Sequence, residues 1–154
     1  MKAVIQRVSY ATVSVDGICT GKIKTGVVIL LGVEQNDSNK DAEILAHKIA
    51  GLRVFCDEND KINLSLSDVQ GSVLVISNFT LCADCRHGRR PYFGEAASPD
   101  VAESLYEYFC ACMKNEGINN VQTGVFGGDM KLELLNDGPV TIILQSDELK
   151  TKEG

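Results

Sequence analysis

Met130-Lys131-Leu132-Glu133-Leu134-Leu135-Asn136-Asp137-Gly138-Pro139-Val140-Thr141-Ile142-Ile143-Leu144-Gln145 is the stretch on which the fold turns. Residues 130–135 and 140–144 are apolar-rich and strand-like, with Asn136-Asp137-Gly138-Pro139 between them. Asp-Gly between two such runs is a hairpin signal, so local rules predict two strands joined by a turn. Pro139 complicates that reading. Proline has no N–H and a fixed φ, so it cannot pair normally inside a central strand. Gly138–Pro139 is also one of three X–Pro bonds in the chain, the kind of bond with ready access to the cis form. A stiff dipeptide with bare carbonyls at a strand end suits a recognition tip as well as a corner.

Working outward, the first third of the chain reads as strands. Residues 2–8 and 11–15 are β-rich, and Asp16-Gly17 turns the chain into 18–23. Residues 27–33 are continuously apolar, as in a strand buried on both faces. N-cap residues at 36–39 precede a helix whose Ile44, Leu45, Ile49 and Leu52 share one face, with Asp41, Glu43 and Lys48 placed for water. A short strand at 54–56, a polar turn at 57–61 and a β-branched strand at 73–77 follow. Ser98 and Pro99 suit the N-cap and first position of a second helix, and Asp100 and Glu103 suit its positive end. Val101, Leu105, Tyr108, Phe109 and Cys112 form its predicted apolar stripe, and Gly117 stops it. Strand character returns near Val121 and in the opening stretch.

Two helices among about eight strands predict a mixed α/β domain. The expected architecture is a three-layer α/β/β single domain, largely antiparallel. Both main helices lie on one side of a sheet, with a second sheet layer behind. The domain is expected to span residues 1–148, with a frayed tail at 149–154.

At 154 residues the chain is long enough for one domain, burying about two thirds of its unfolded surface. No apolar run approaches a membrane span and the first ten residues lack a signal-peptide layout, so a cytoplasmic protein without a membrane partner is expected. Six cysteines in such a setting are expected to be reduced, with Cys19, Cys56 and Cys110 lying among apolar residues. The net charge of −6 argues against broad binding along a nucleic-acid backbone, DNA included, but allows a grip on one end of an RNA. Arg86-His87-Gly88-Arg89-Arg90 is the one basic cluster, a solvated loop or a local phosphate contact.

The acid–base inventory is thin. His47 falls on the first helix and His87 in the basic loop, neither beside a nucleophile elbow, and no Gly-rich phosphate loop is present. Cys82-x-x-Cys85 followed by His87 offers a zinc- or redox-responsive binding module as an alternative function. Against it, Cys110 and Cys112 fall mid-helix on diverging faces, and Gly88 and Pro91 stop any helix after the motif. Ser77-Asn78-Phe79-Thr80-Leu81 ends a buried strand, with Ser77 and Phe79 expected on one face and Asn78 and Thr80 on the other. Hydroxyls and freed backbone N–H groups at such a sheet mouth could surround a carbonyl as it becomes an oxyanion.

Taken together, Ser77-Asn78-Phe79-Thr80-Leu81 and Asn136-Asp137-Gly138-Pro139-Val140-Thr141 resemble the signatures of the D-aminoacyl-tRNA deacylase family. The similarity includes Ile5-Gln6-Arg7-Val8, Gly88-Arg89-Arg90-Pro91-Tyr92-Phe93 and Gly124-Val125-Phe126-Gly127-Gly128-Asp129-Met130. Asn78 stands where the family usually has glutamine, one methylene longer, and Gly128 replaces a usual alanine. Cys82 and Cys85 are not part of the family pattern. The resemblance implies a homodimer that hydrolyses the ester between a D-amino acid and the 3′-terminal adenosine of tRNA, with no metal or organic cofactor. Carried over, Gly138 and Pro139 form the chiral selector through a cis bond, reaching into the partner's site with Arg7 helping to hold them. Ser77, Phe79 and Thr80 serve the reaction, and Asn78, Phe126 and Met130 bind substrate.

Overall fold

The computed structural model describes residues 1–150. Its organising element is β1 (Lys2–Val15), which pairs on both edges. Along its first half, one edge pairs antiparallel with β3 (Gly26–Gly32). Along its second half it pairs with β2 (Ile18–Ile23) through Asp16-Gly17. Those turn residues have φ of 51° and 78°, the double positive φ of a primed hairpin turn that matches strand twist. β3 continues into β6 (Ser72–Ser77), and β6 into β7 (Val121–Thr123), both as parallel pairs. Parallel neighbours need crossovers. α1 (Asn39–Gly51) and α2 (Pro99–Asn115) supply them and bury their apolar faces in one shared core. A small separate hairpin joins β4 (Phe55–Cys56) to β5 (Ile62–Leu64).

β3 and β6 are buried on both faces, as their unbroken apolar runs predict. Val27, Ile29, Leu31, Val73 and Val75 face the helices. Val28, Leu74 and Ile76 meet Val8, Ala11, Val13 and Ile23 on the far side. The expected α/β/β layering is therefore present. Its second β layer, however, is the same hydrogen-bonded sheet turned back over its own far face, not a separate sheet.

The predicted hairpin within residues 130–145 is absent. β8 (Met130–Gln145) runs in one direction throughout, antiparallel to β1 along both of its halves. Between the pairs Gln6–Thr141 and Val8–Asn136, Arg7 alone on β1 faces residues 137–140 on β8, so the surplus residues loop outward. Met130, Leu132 and Leu134 pack on the far-side core, whereas Val140, Ile142 and Leu144 pack on the helix-side core. The bulge is thus the corner at which the strand passes from one layer to the other. Asp-Gly-Pro reads locally as the end of a strand; two cores on either side keep the strand going.

Several smaller expectations also change. Asp41, expected in water, is fully buried and accepts hydrogen bonds from the Ser38 N–H (2.9 Å) and the Ser146 hydroxyl (2.6 Å). The buried stripe of α2 is Ala102, Leu105, Tyr106, Phe109, Cys110, Cys112 and Met113, leaving Val101 exposed and Tyr108 half-buried. Ser98 holds the N-cap position, but its side chain makes no capping bond. Cys19 and Cys56 are exposed, while Cys110 is buried. Of the tail expected at 149–154, residues 149 and 150 end a short helix, α3 (Ser146–Lys150). Residues 151–154 lie outside the described residues. Among the described residues, no helix is long and apolar enough to cross a membrane.

Candidate active site

β6 ends at Ser77, and the chain leaves the sheet at once. Asn78 donates its N–H to the Leu31 carbonyl at 2.8 Å, and a short 3₁₀ turn, Phe79–Cys82, begins behind it. Beside this strand end opens a largely apolar cavity of about 740 Å³. Ser77, Asn78 and Phe79 edge it. Leu30, Ile76 and Leu132 come from the sheet, Ala102 and Tyr106 from α2, and Phe126, Met130 and Phe93 from loops and the start of β8.

The predicted alternation across this segment does not survive the turn. Because the strand stops at Ser77, Ser77, Asn78 and Phe79 all border the cavity, and Thr80 does not. The Thr80 hydroxyl instead donates to the Asn78 side-chain oxygen. The first N–H groups of a helical turn have no acceptor within it, so those of Phe79 and Thr80 are candidate donors to a ligand. Phe79 is 56% exposed and meets the Phe93 ring edge-on, with centroids 5.1 Å apart. Among the described residues, no histidine or lysine lines the cavity.

Phe126 and Met130 both line the cavity, joined by two residues that sequence reasoning passed over, Phe93 and Tyr106. Tyr106 is buried, donates its hydroxyl to the Val75 carbonyl at 2.7 Å and tilts against Phe126 at 5.9 Å. Burial raises its phenol well above the ordinary range, so it remains a neutral donor. The spacing Ala102, Tyr106, Phe109, Met113 carried the signal for its face, hidden by the equally apolar Val101 and Tyr108.

Arg7, Gly138 and Pro139 lie elsewhere; none lines this cavity. The Gly138–Pro139 bond is cis and both residues are exposed at the bulge. Arg7, 7% exposed, lies under it. Its Nε donates to the Asp137 carbonyl at 2.9 Å and its Nη1 to the Val54 carbonyl at 2.7 Å. Within this chain, then, the tip and the strand end are two separate features. The two motif cysteines also differ: Cys82 is buried, with its thiol donating to the Val33 carbonyl at 3.6 Å, and Cys85 is exposed. Burial pushes the Cys82 thiol up, away from the thiolate that metal binding or redox exchange needs.

A family model described as D-Tyr-tRNA(Tyr) deacylase matches residues 4–145. A Thermosipho melanesiensis protein named D-aminoacyl-tRNA deacylase is 51% identical over 149 residues, covering 97% of this chain and 99% of its own. One of the same name from Koribacter versatilis is 54% identical over 146 residues, covering 95% and 97%. The solved structure of a c-Myc DNA unwinding element binding protein superposes with a TM-score of 0.89 at 39% identity, over 94% of this chain and 98% of that one. That of a probable eukaryotic D-amino acid tRNA deacylase gives 0.80 at 16% identity, over 93% and 97%, and shares the fold. The class so defined is a hydrolase, a deacylase. The chain belongs to the D-Tyr-tRNA(Tyr) deacylase family.

Proposed function

We propose that this enzyme acts in cytoplasmic translation quality control, hydrolysing the ester between a D-amino acid and the 3′-terminal adenosine of tRNA and sparing the L-aminoacyl ester. The observation that carries the reading is the largely apolar cavity edged by Ser77, Asn78 and Phe79, with no histidine, lysine, arginine or carboxylate lining it among the described residues. An aminoacyl ester is already activated. Orientation and oxyanion donors suffice where the substrate's own 2′-OH can assist water. Phe126 and Met130 take the adenine against apolar walls, and Asn78 and Ser77 position the ester. The N–H groups of Phe79 and Thr80 receive the carbonyl oxygen as it gains charge. Water adds to the carbonyl carbon, the ester C–O bond breaks, the 3′-oxygen takes up a proton, and free D-amino acid leaves. None of these steps calls for a metal or an organic cofactor.

Chirality falls to the exposed tip. In a homodimer, Gly138–Pro139 of one copy reaches the other copy's cavity and stands where an L side chain would lie. A backbone wall rejects the L form by clash without reading the D side chain. Glycine, having nothing to clash, is also removed. Support for the dimer comes from the outer edge of β8, which no strand pairs among the described residues and whose strand carries Leu135 (51% exposed) and Ile143 (70% exposed). Edges of this kind are sites of association.

No DNA partner is proposed, because a net charge of −6 leaves little surface to neutralise a duplex. A zinc- or redox-responsive module on Cys82 and Cys85 gains no support from one buried and one exposed thiol. The test compares D-tyrosyl-tRNA with L-tyrosyl-tRNA using purified protein. Release of D-tyrosine alone is expected. Equal rates would overturn the chirality argument, and no hydrolysis of either would overturn the substrate assignment. Sedimentation at micromolar concentration checks the dimer.

A further inference from the structure

The loop between the 3₁₀ turn and α2 carries the densest cationic run of an acidic chain, Arg86-His87-Gly88-Arg89-Arg90. It is closed at its base. The Asp84 N–H donates to the Tyr92 carbonyl at 2.7 Å and the Tyr92 N–H to the Asp84 carbonyl at 2.9 Å, forming an antiparallel clasp. Within it the three arginines are not equivalent. Arg86 is taken up internally, its Nε and Nη2 donating to the two Asp84 carboxylate oxygens at 2.9 and 2.7 Å. That pairing, with the Arg86 backbone N–H, holds the Asp84 carboxyl down to about 2. Arg89 and Arg90 are exposed and make no ion pair or hydrogen bond among the described residues.

The same loop runs directly into the cavity. Phe93 lines it and packs on Phe79, and Tyr92, immediately before, is 61% exposed. Two uncompensated cations, an exposed aromatic ring and the cavity wall thus fall within residues 89–93. Cations that track a backbone beside a ring on which a base can stack are what single-stranded nucleic acid binding uses.

We propose that this clasped loop grips the single-stranded RNA leading into the cavity. Arg89 and Arg90 contact backbone phosphates, and Tyr92 stacks on an unpaired base next to the terminal adenosine. Arg86 has the different task of neutralising Asp84 within the clasp. The proposal rests on the reading of the cavity as the seat of the aminoacylated adenosine.

Two substrates separate the loop from the cavity: D-tyrosyl-tRNA, and 3′-O-D-tyrosyl-adenosine, which has no phosphate. For Arg89→Ala/Arg90→Ala, kcat/KM on the tRNA falls while the rate on the adenosine ester holds. The slope of log kcat/KM against log salt becomes shallower by about 1.4, at about 0.7 per phosphate released from a single strand. Tyr92→Ala lowers kcat/KM on the tRNA by about tenfold, within the range of one lost base–aromatic stack. Equal losses on both substrates, an unchanged salt slope, or a shift in oligomeric state for the double variant would overturn the assignment, the last by giving the loop to a contact between copies. If the wild-type protein cleaves neither substrate, the cavity reading fails and the loop's role falls with it. If it cleaves both and the variants match it, the loop assignment alone fails.

Discussion

Arg7 on β1 and Asp137 on β8 meet at the corner of the sheet, with the Arg7 Nε donating to the Asp137 carbonyl at 2.9 Å from an almost fully buried guanidinium. The same fork reaches the Val54 carbonyl at 2.7 Å, so one side chain ties the bulge to the segment before β4. Arg7→Ala leaves both carbonyls without their charged donor. Bonds of this kind contribute about 1.5–3 kcal/mol each. The variant is expected to lose roughly 3 kcal/mol and to melt several degrees lower, at about 2–4 °C per kcal/mol for a chain of this size. Its preference for D over L esters should fall with the tip unheld. Arg7→Lys should not restore either property, because an ammonium lacks the planar fork. Thermal melts and paired D and L assays check both parts.

Gly138 sits at φ +128°, and a Cβ placed there would stand 3.0 Å from both the Arg7 Nη2 and the Val140 N–H nitrogen. Gly138→Ala therefore meets strain and crowding together, at about 1–3 kcal/mol. Displacement of the tip is the expected response. In steady-state assays, hydrolysis of L-tyrosyl-tRNA should rise relative to the D ester. An unchanged ratio would show that the tip does not select.

Thr80 donates its hydroxyl to the Asn78 side-chain oxygen and does not itself line the cavity. Thr80→Val keeps the shape and the backbone N–H while removing the hydroxyl. A positioning role predicts a loss in kcat below about 100-fold, against roughly a million-fold where a true nucleophile is deleted. Ser77→Ala is expected in the same mild range. Trapping of an acyl-enzyme on Thr80 would refute this.

Burial opposes the charge on Asp41, but hydrogen bonds from Lys150, Ser146 and Ser38 outweigh it and hold the carboxyl down to about 2, against an ordinary 3.8. The unfolded chain thus binds this proton more readily than the folded one. The stabilisation is complete above about pH 4 and disappears as the pH falls toward about 2. Melting temperatures across that window should drop less steeply for Asp41→Asn than for the wild type, provided both are measured at one ionic strength.

Much of this was legible from local chemistry. Asp16-Gly17 marked the first hairpin, Pro99 the start of α2, and the run ending at Val33 a strand buried on both faces. The resemblance drew attention to Ser77–Phe79, Phe126 and Met130, which share one cavity, and to Arg7, whose Nε donates to the Asp137 carbonyl. Local rules failed where a distant partner overruled them. Asp41 reads as a solvent residue until Ser146 and Lys150 arrive from more than a hundred residues away. Val101 and Ala102 are both apolar, and only the sheet beneath α2 decides which is buried.

The sequence by itself determined the two main helices and most of the strand-forming stretches, the side-chain-poor Gly138–Pro139 and the scarcity of acid–base groups near Ser77–Thr80. These depend on φ preferences, periodicity and residue chemistry within a few neighbours. Tertiary structure alone decided that residues 130–145 form one strand with a bulge. It alone left Thr80 off the cavity lining and, among the described residues, gave Arg86 a carboxylate partner and Arg89 and Arg90 none. Each of those outcomes depends on which surfaces meet across the fold: two cores on opposite faces of one sheet pull β8 straight through a sequence that, taken alone, turns.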